Sequence, residues 1–264
     1  MDYKIDASAR CAVIGYGTWA TALVDVLTKN ESRVGWYVRN EEVLESLLSE
    51  GRNQRYLSDL ELDAERIAPS NDLNKVISEA DIIVMAMPSA FIKTFLEPLT
   101  VSLKDKFIIS AVKGIVPGDY QTVVEYLHDH YDLSYKQMGL IPGPTHAEEV
   151  ARERLSYLTV VCTDPDNAQL IGQKLSTKYI HLSYSQDLYG TEYAAILKNI
   201  YAETGVDTGA IMKITGSIGD RKRIDQAIRR FKNEAFPSIA VTVDFPAVPT
   251  TAINFRDESA EASA

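Results

Sequence analysis

Residues able to do chemistry fall in a few short clusters. The first is Gly15-Tyr-Gly17 with Ala20, the G-x-G-x-x-G/A spacing of a dinucleotide cradle. In such a cradle Gly15 permits the tight turn and Gly17 lets a pyrophosphate approach the backbone. The small Ala20 lets helix and strand pack closely. The helix starting at Thr18 would offer free N–H groups and a partial positive charge to the phosphates. A NAD-preferring site carries Asp or Glu about 20 residues beyond the turn. Arg39 and Asn40 stand there instead. A guanidinium favours the 2′-phosphate of NADP, although a solvated strand-end arginine is the plainer alternative. Lys113 and Lys198 are the candidates for moving a proton and holding an anion. Sharing a crevice, two ammonium groups would lower each other's pKa. Hydride transfer between a nicotinamide and a carbonyl needs such a proton partner. His146, at a helix start, reads as structural. Four histidines and two cysteines without ligand spacing argue against a metal site.

These groups need a scaffold, and the apolar runs supply one. Strands are expected at Cys11–Ile14, Arg33–Val38, Ile67–Pro69, Asp81–Met87, Phe107–Val112, Met138–Ile141, Leu158–Cys162 and Tyr179–Leu182. Helices are expected between them. One of these carries Val43, Leu44, Leu47 and Leu48 on a stripe, with Asn40 as N-cap and Gly51 as its stop. Pro165–Leu175 and a stretch from Asp187 past Lys198 are others. Strands alternating with helices through short connections make a doubly wound, mostly parallel sheet. Ligands of such sheets sit beyond the carboxyl ends of the strands. Gly15–Gly17, Arg39, Pro88-Ser89, Lys113-Gly114 and Gly143–Thr145 all follow strand ends.

The composition fits a soluble globular chain of 264 residues with 45% hydrophobic and 24% charged residues. A net charge of −10 argues against general nucleic-acid binding. Cys11 and Cys162 lie in strands and read as buried free thiols of a reducing compartment. No apolar run reaches the ~18 residues of a membrane span, and no signal peptide precedes the first strand, so a cytoplasmic location is expected.

Five motifs in order resemble the bacterial NAD(P)-dependent glycerol-3-phosphate dehydrogenases. They are Gly15–Ala22, Val84–Ser89, Ala111–Gly114, Gly143–Val150 and Asp187–Asn199, the last with Gly190, Glu192, Leu197, Lys198 and Asn199. The resemblance covers about residues 10–202. It implies a Rossmann-like fold with NADP or NAD as cofactor. The implied reaction interconverts sn-glycerol 3-phosphate and dihydroxyacetone phosphate. Carried over by position, Thr18, Trp19, Arg39 and Tyr56 would contact the cofactor. Lys113 would touch cofactor and substrate, Gly143 and Thr145 would line the substrate, and Ala147 would meet the nicotinamide end. Lys198 would accept the proton during oxidation. The implied partners are a small phosphorylated substrate and a possible second copy of the chain.

The family's chain continues as a helical domain carrying an Asp, a Ser-Arg-Asn cluster for the substrate phosphate and a further Glu. None of these is found after Tyr201-Ala202. Instead Ile211–Thr215 reads as a strand, Asp220–Asn233 as a basic amphipathic helix and Ile239–Val243 as a strand. Met212–Asp244 is similar to part of the second motor lobe of type I restriction-enzyme translocating subunits. The next motif of that lobe, Thr-Gly-x-Asp, is absent, so the likeness lends no ATPase or DNA function. Residues 245–264 are Pro-, Ala- and acid-rich and read as unstructured. The expected organisation is a dinucleotide-binding domain over 1–184, the start of a truncated helical domain over 185–202 and an unrelated tail over 203–264. A chimeric or frameshifted reading frame accounts for that. The rival to an enzyme is a non-catalytic dinucleotide-binding fragment. A nucleic-acid motor fragment is a third reading, resting on the basic helix alone.

Overall fold

A computed structural model describes residues 3–204, 239–244 and 252–257, with side chains through Ile196. Its centre is an eight-stranded sheet. The strands are β1 (Cys11–Ile14), β2 (Val34–Tyr37), β3 (Ile67–Ser70), β4 (Ile82–Met85), β5 (Phe107–Ser110), β6 (Met138–Leu140), β7 (Ser156–Cys162) and β8 (Ile180–Ser185). Their spatial order is β3-β2-β1-β4-β5-β6-β7-β8. Pairing is parallel throughout, except that β7 runs antiparallel to β6.

The chain winds to one side and then the other, so β1 and β4 are neighbours with the order reversing between them. That reversal opens a crevice above the carboxyl ends of both strands. Strand residues divide by alternation. Cys11, Val13, Trp36, Val84 and Ile109 enter one core, and Ala12, Ile14, Ile83, Met85 and Ile108 the other. Covering both faces explains why these strands read as unbroken apolar runs. The first core is closed by α1 (Thr18–Thr28), α2 (Glu41–Glu50), α6 (Ala147–Ala151) and α7 (Pro165–Leu175). The second is closed by α3 (Leu73–Ser78), α4 (Ile92–Leu96), α5 (Val123–Tyr131) and the start of α8 (Leu188–Thr204).

Local signals set most helix ends. Asn40 caps α2 through Val43 N, and Gly51 closes it in the left-handed conformation. Asp72 and Asp164 cap α3 and α7 with their carboxylates, and Thr122 with Glu125 forms a capping box on α5. Both cysteines are free and buried, and burial pushes each thiol up to about 12.

Two differences from the sequence reading stand out. The antiparallel turn at β6–β7 was not visible, because period and composition carry no strand direction. Within the stretch read as unstructured, β10 (Ala252–Asp257) pairs antiparallel with β9 (Ile239–Asp244). Ile253 and Phe255 alternate with Asn254 and Arg256 there, a strand period masked by the acidic composition around it. The expected strand at 211–215 and basic helix at 220–233 lie outside the described residues, as does most of the stretch likened to the restriction-enzyme lobe.

Candidate dinucleotide site

The site is assembled where strand ends meet. After β1 the chain turns at Gly15, whose φ is +124°, a value that strains any residue with a side chain. A Cβ there would also sit 2.2 Å from the Ala86 carbonyl oxygen at the end of β4. The turn is pinned from β2 as well. The buried Trp36 indole donates to the Gly15 carbonyl at 2.6 Å, and Gly15 N–H donates to Tyr37 O at 3.3 Å.

Gly17 differs in kind. It is the N-cap of α1 in extended conformation, φ −74° and ψ −179°, which any residue adopts. A Cβ on Gly17 would meet no protein atom within 4 Å. Neither backbone nor packing requires glycine, so the open volume beside it suits a ligand that approaches the main chain. Helix α1 has no side-chain cap and no acidic residue in its first turn; the short α4 and α6 also lack side-chain caps, whereas α2, α3, α5 and α7 have them. Its first N–H groups are left for an anion. Thr18 and Trp19, half-buried, open this helix, and Ala20 is fully buried against the strand as the small third position requires.

The loop after α2 reaches the same turn. Asn53 is fully buried and donates to Tyr16 O at 2.9 Å and Thr21 Oγ1 at 2.8 Å, and it accepts from Tyr56 N at 3.1 Å. This brings Tyr56 beside Tyr16, ring centroids 6.3 Å apart, while Phe95 of α4 flanks Tyr16 on another side at 5.8 Å. Arg39, exposed at the end of β2, lays its guanidinium over Phe95 at 4.9 Å. Arg55 lies over Tyr56 at 5.8 Å. The cationic rim therefore has two arginines, one of which sequence reading overlooked.

Lys113 is exposed just after β5. The following Gly114 abuts the loop after β4, where a Cβ would lie 2.8 Å from Ser89 Oγ. Gly143 and Thr145 follow β6 and contact the start of β7. A Cβ on Gly143 would sit 2.2 Å from the Tyr157 carbonyl. Thr145 donates its hydroxyl to that carbonyl at 2.7 Å and accepts from Tyr157 N–H at 3.2 Å. The Thr145 hydroxyl proton is thus used within the protein, and only a lone pair remains for a ligand. Ala147 begins α6 and is buried in the first core.

Helix α8 carries Lys198, whose side chain lies outside the described residues. The start of that helix is held firmly. Leu188 enters the second core, and the buried Glu192 carboxylate accepts Val123 N–H at 3.1 Å and Val124 N–H at 3.4 Å, at the N-terminus of α5. Its other oxygen has no hydrogen-bond partner. Burial pushes Glu192 up to about 8, Glu125 adds to the rise, and the Thr122 hydroxyl and the α5 N–H groups oppose it. Tyr193 donates its hydroxyl to Glu125 at 3.2 Å. Sequence reading missed Asn53 because a lone asparagine in a polar loop carries no periodic signal. It noted Glu192 only as part of a motif.

The reversal point, glycine turn and uncapped α1 define a doubly wound α/β protein built to receive a dinucleotide. Comparison with known proteins narrows that class. The family profile described as NAD-dependent glycerol-3-phosphate dehydrogenase N-terminus matches residues 10–168, and the chain belongs to that family. A glycerol-3-phosphate dehydrogenase [NAD(P)+] of Exiguobacterium sp. is 32% identical over 196 residues, covering 74% of this chain and 57% of that protein. One from Ectopseudomonas mendocina is 30% identical over 191 residues, 72% of this chain and 55% of that protein. The chain thus spans little more than half the length of these relatives. A Plasmodium falciparum glycerol-3-phosphate dehydrogenase structure shares the fold with TM-score 0.68 at 21% identity, covering 85% of this chain and 66% of that one. One from Coxiella burnetii gives 0.66 at 20%, covering 87% and 70%. No helix among the described residues is long and apolar enough to cross a membrane.

Proposed function

We infer that this chain binds NADP or NAD at the β1–α1 turn and carries the cofactor half of a dehydrogenase interconverting sn-glycerol 3-phosphate and dihydroxyacetone phosphate. The observation that carries the reading is Gly17, a glycine with no protein reason to be one, beside an uncapped helix N-terminus. Thr18, Trp19, Arg39 and Tyr56 hold the dinucleotide in this reading, with Ala147 at its nicotinamide end. Arg39 favours a 2′-phosphate. When bound, the nicotinamide would accept the hydride during oxidation and supply it during reduction. Lys198 takes the substrate hydroxyl proton during oxidation and returns it during reduction. Lys113 binds the substrate anion beside the cofactor, and Gly143 and Thr145 form the substrate wall.

Turnover is expected to be low. Residues 203–264 do not carry the Ser-Arg-Asn cluster that the family resemblance calls for, so these residues offer the substrate phosphate no such bidentate guanidinium contact. The same observation favours a second reading, a dinucleotide-binding module without catalysis. The likeness of residues 212–244 to a restriction-enzyme lobe adds no activity to either.

Calorimetric titration with NADPH and NADH tests the cofactor site. Binding by the folded chain is expected, together with at least a tenfold loss in Gly17→Ala at an unchanged unfolding midpoint. A folded wild-type chain that binds neither nucleotide refutes the reading. A steady-state assay with dihydroxyacetone phosphate and NADPH separates enzyme from module, and rates typical of a competent dehydrogenase would overturn the expectation of low turnover.

A further inference from the structure

Asn53 is placed to do more than tie down a loop. It lies in the connection between α2 and β3, fully buried, and three of its hydrogen-bonding positions are filled. Its partners on α1 and the glycine turn are informative. The Tyr16 carbonyl belongs to the peptide whose N–H is that of Gly17. Thr21, its second partner, directs its own hydroxyl to the Gly17 carbonyl at 3.0 Å, and Thr21 N–H reaches the same oxygen at 3.0 Å. The Gly17 carbonyl belongs to the peptide whose N–H is that of Thr18. A trans peptide is planar and points its N–H opposite to its C=O. Holding both carbonyls on the buried side therefore turns the Gly17 and Thr18 N–H groups to the other side.

Glycine makes this restraint necessary. A Cβ on Gly17 would meet no protein atom within 4 Å, and a glycine samples backbone angles that other residues do not. Without the buried acceptor contacts, the Tyr16–Gly17 peptide could flip and present a carbonyl where a phosphate must sit.

We propose that Asn53 is a positioning residue for dinucleotide binding: it locks the Tyr16–Gly17 peptide so that the N–H groups of the turn face the pyrophosphate, and it sets Tyr56 at the same time. This rests on the cofactor reading of the glycine turn. Asparagine suits the task because it donates twice with one nitrogen while its oxygen accepts from Tyr56 N–H. Aspartate, with the same shape, offers only acceptors to Tyr16 O.

The test uses the full chain, with NADPH as probe and adenosine 2′-monophosphate, which lacks the pyrophosphate, as control. Asn53→Ser and Asn53→Asp are compared with wild type by calorimetry, and by the amide shifts of Gly17 and Thr18 in 15N-labelled protein. The expected result is a loss of NADPH affinity of at least tenfold, with adenosine 2′-monophosphate affinity changed less than threefold. The downfield shift of the Gly17 amide on NADPH addition is expected to vanish. If the variants unfold, Thr21→Val, which removes one Asn53 partner and the hydroxyl contact to Gly17 O, is expected to give the same selective loss. Folded variants that keep NADPH affinity and the Gly17 shift overturn the proposal. So does an equal loss for both ligands, which indicates only a loosened loop. Absence of NADPH binding by wild type itself would instead overturn the cofactor reading.

Discussion

Replacing Glu192 by glutamine is expected to make the protein more resistant to alkaline pH. The Glu192 carboxyl is 4% exposed, has one oxygen on the α5 N-terminus and one with no partner, and lies close to the buried Glu125. Its pKa stands at about 8 in the fold against an ordinary 4.5. A raised carboxyl favours the folded state fully below pH 4.5, and that contribution drains away as pH climbs through about 8. The full difference corresponds to a ceiling on the order of 5 kcal/mol. Opening of the first turns of α8 would relieve the charge at lower cost, so about 2–3 kcal/mol is the expected global effect. For a domain of this size that is about 5–10 °C in midpoint. Thermal unfolding from pH 5 to pH 9 in matched salt is the assay. The wild-type midpoint should fall by that much more than the Glu192→Gln midpoint, since all other titrating groups are shared. Glutamine keeps an acceptor for Val123 N–H and carries no charge. Parallel midpoint curves would refute the assignment of Glu192 as a protonated, buried acid in the folded chain.

Other expectations follow from the same structure. Gly15→Ala should cost more than about 3 kcal/mol in urea unfolding, because it adds a Cβ 2.2 Å from the Ala86 carbonyl at a φ of +124°; a cost under about 1 kcal/mol would show that the turn relaxes freely. Arg39→Ala should weaken NADPH at least fivefold while leaving NADH within twofold, measured by calorimetry; equal losses would deny Arg39 a role at the 2′-phosphate. Cys11 and Cys162, with thiols near 12, should resist iodoacetamide at pH 8 in the native protein and react after unfolding; rapid labelling of either in the native state would show that its strand opens.

Much of this architecture could be read from residue order. Each buried strand announces itself as a short apolar run, and Asn40 with Gly51 brackets α2 as capping chemistry dictates. The helix expected over Pro165–Leu175 has those bounds in the structure, because Asp164 caps it and Pro165 suits its first turn. What stayed hidden is non-local. Nothing in Met138–Leu140 or Ser156–Cys162 says that their strands oppose each other, since direction depends on how the intervening chain returns. Asn53 reaches the glycine turn through partners 32 and 37 residues away, and no local pattern encodes those contacts. Glu192 likewise owes its raised pKa to burial among elements distant in sequence, with Glu125 adding to the rise, while the α5 N–H groups some 68 positions upstream oppose it.

The strand-end residues also separate once their neighbours are known. Read from sequence, Gly15, Gly17, Lys113, Gly114, Gly143 and Thr145 form one group, because all follow strands that end on one side. The structure gives several of them an internal reason to be what they are. Gly15 is required by its φ of +124° and by Ala86, Gly114 by its φ of +112° and Gly143 by Tyr157, while the Thr145 hydroxyl is engaged by the Tyr157 backbone. A position explained by protein packing is weak evidence for a ligand, even when it borders the crevice. Gly17 keeps no such explanation; the missing side-chain cap on α1 is shared by the short α4 and α6, while α2, α3, α5 and α7 are capped. The case for a bound pyrophosphate therefore rests on Gly17, the residue whose requirement the protein does not itself explain.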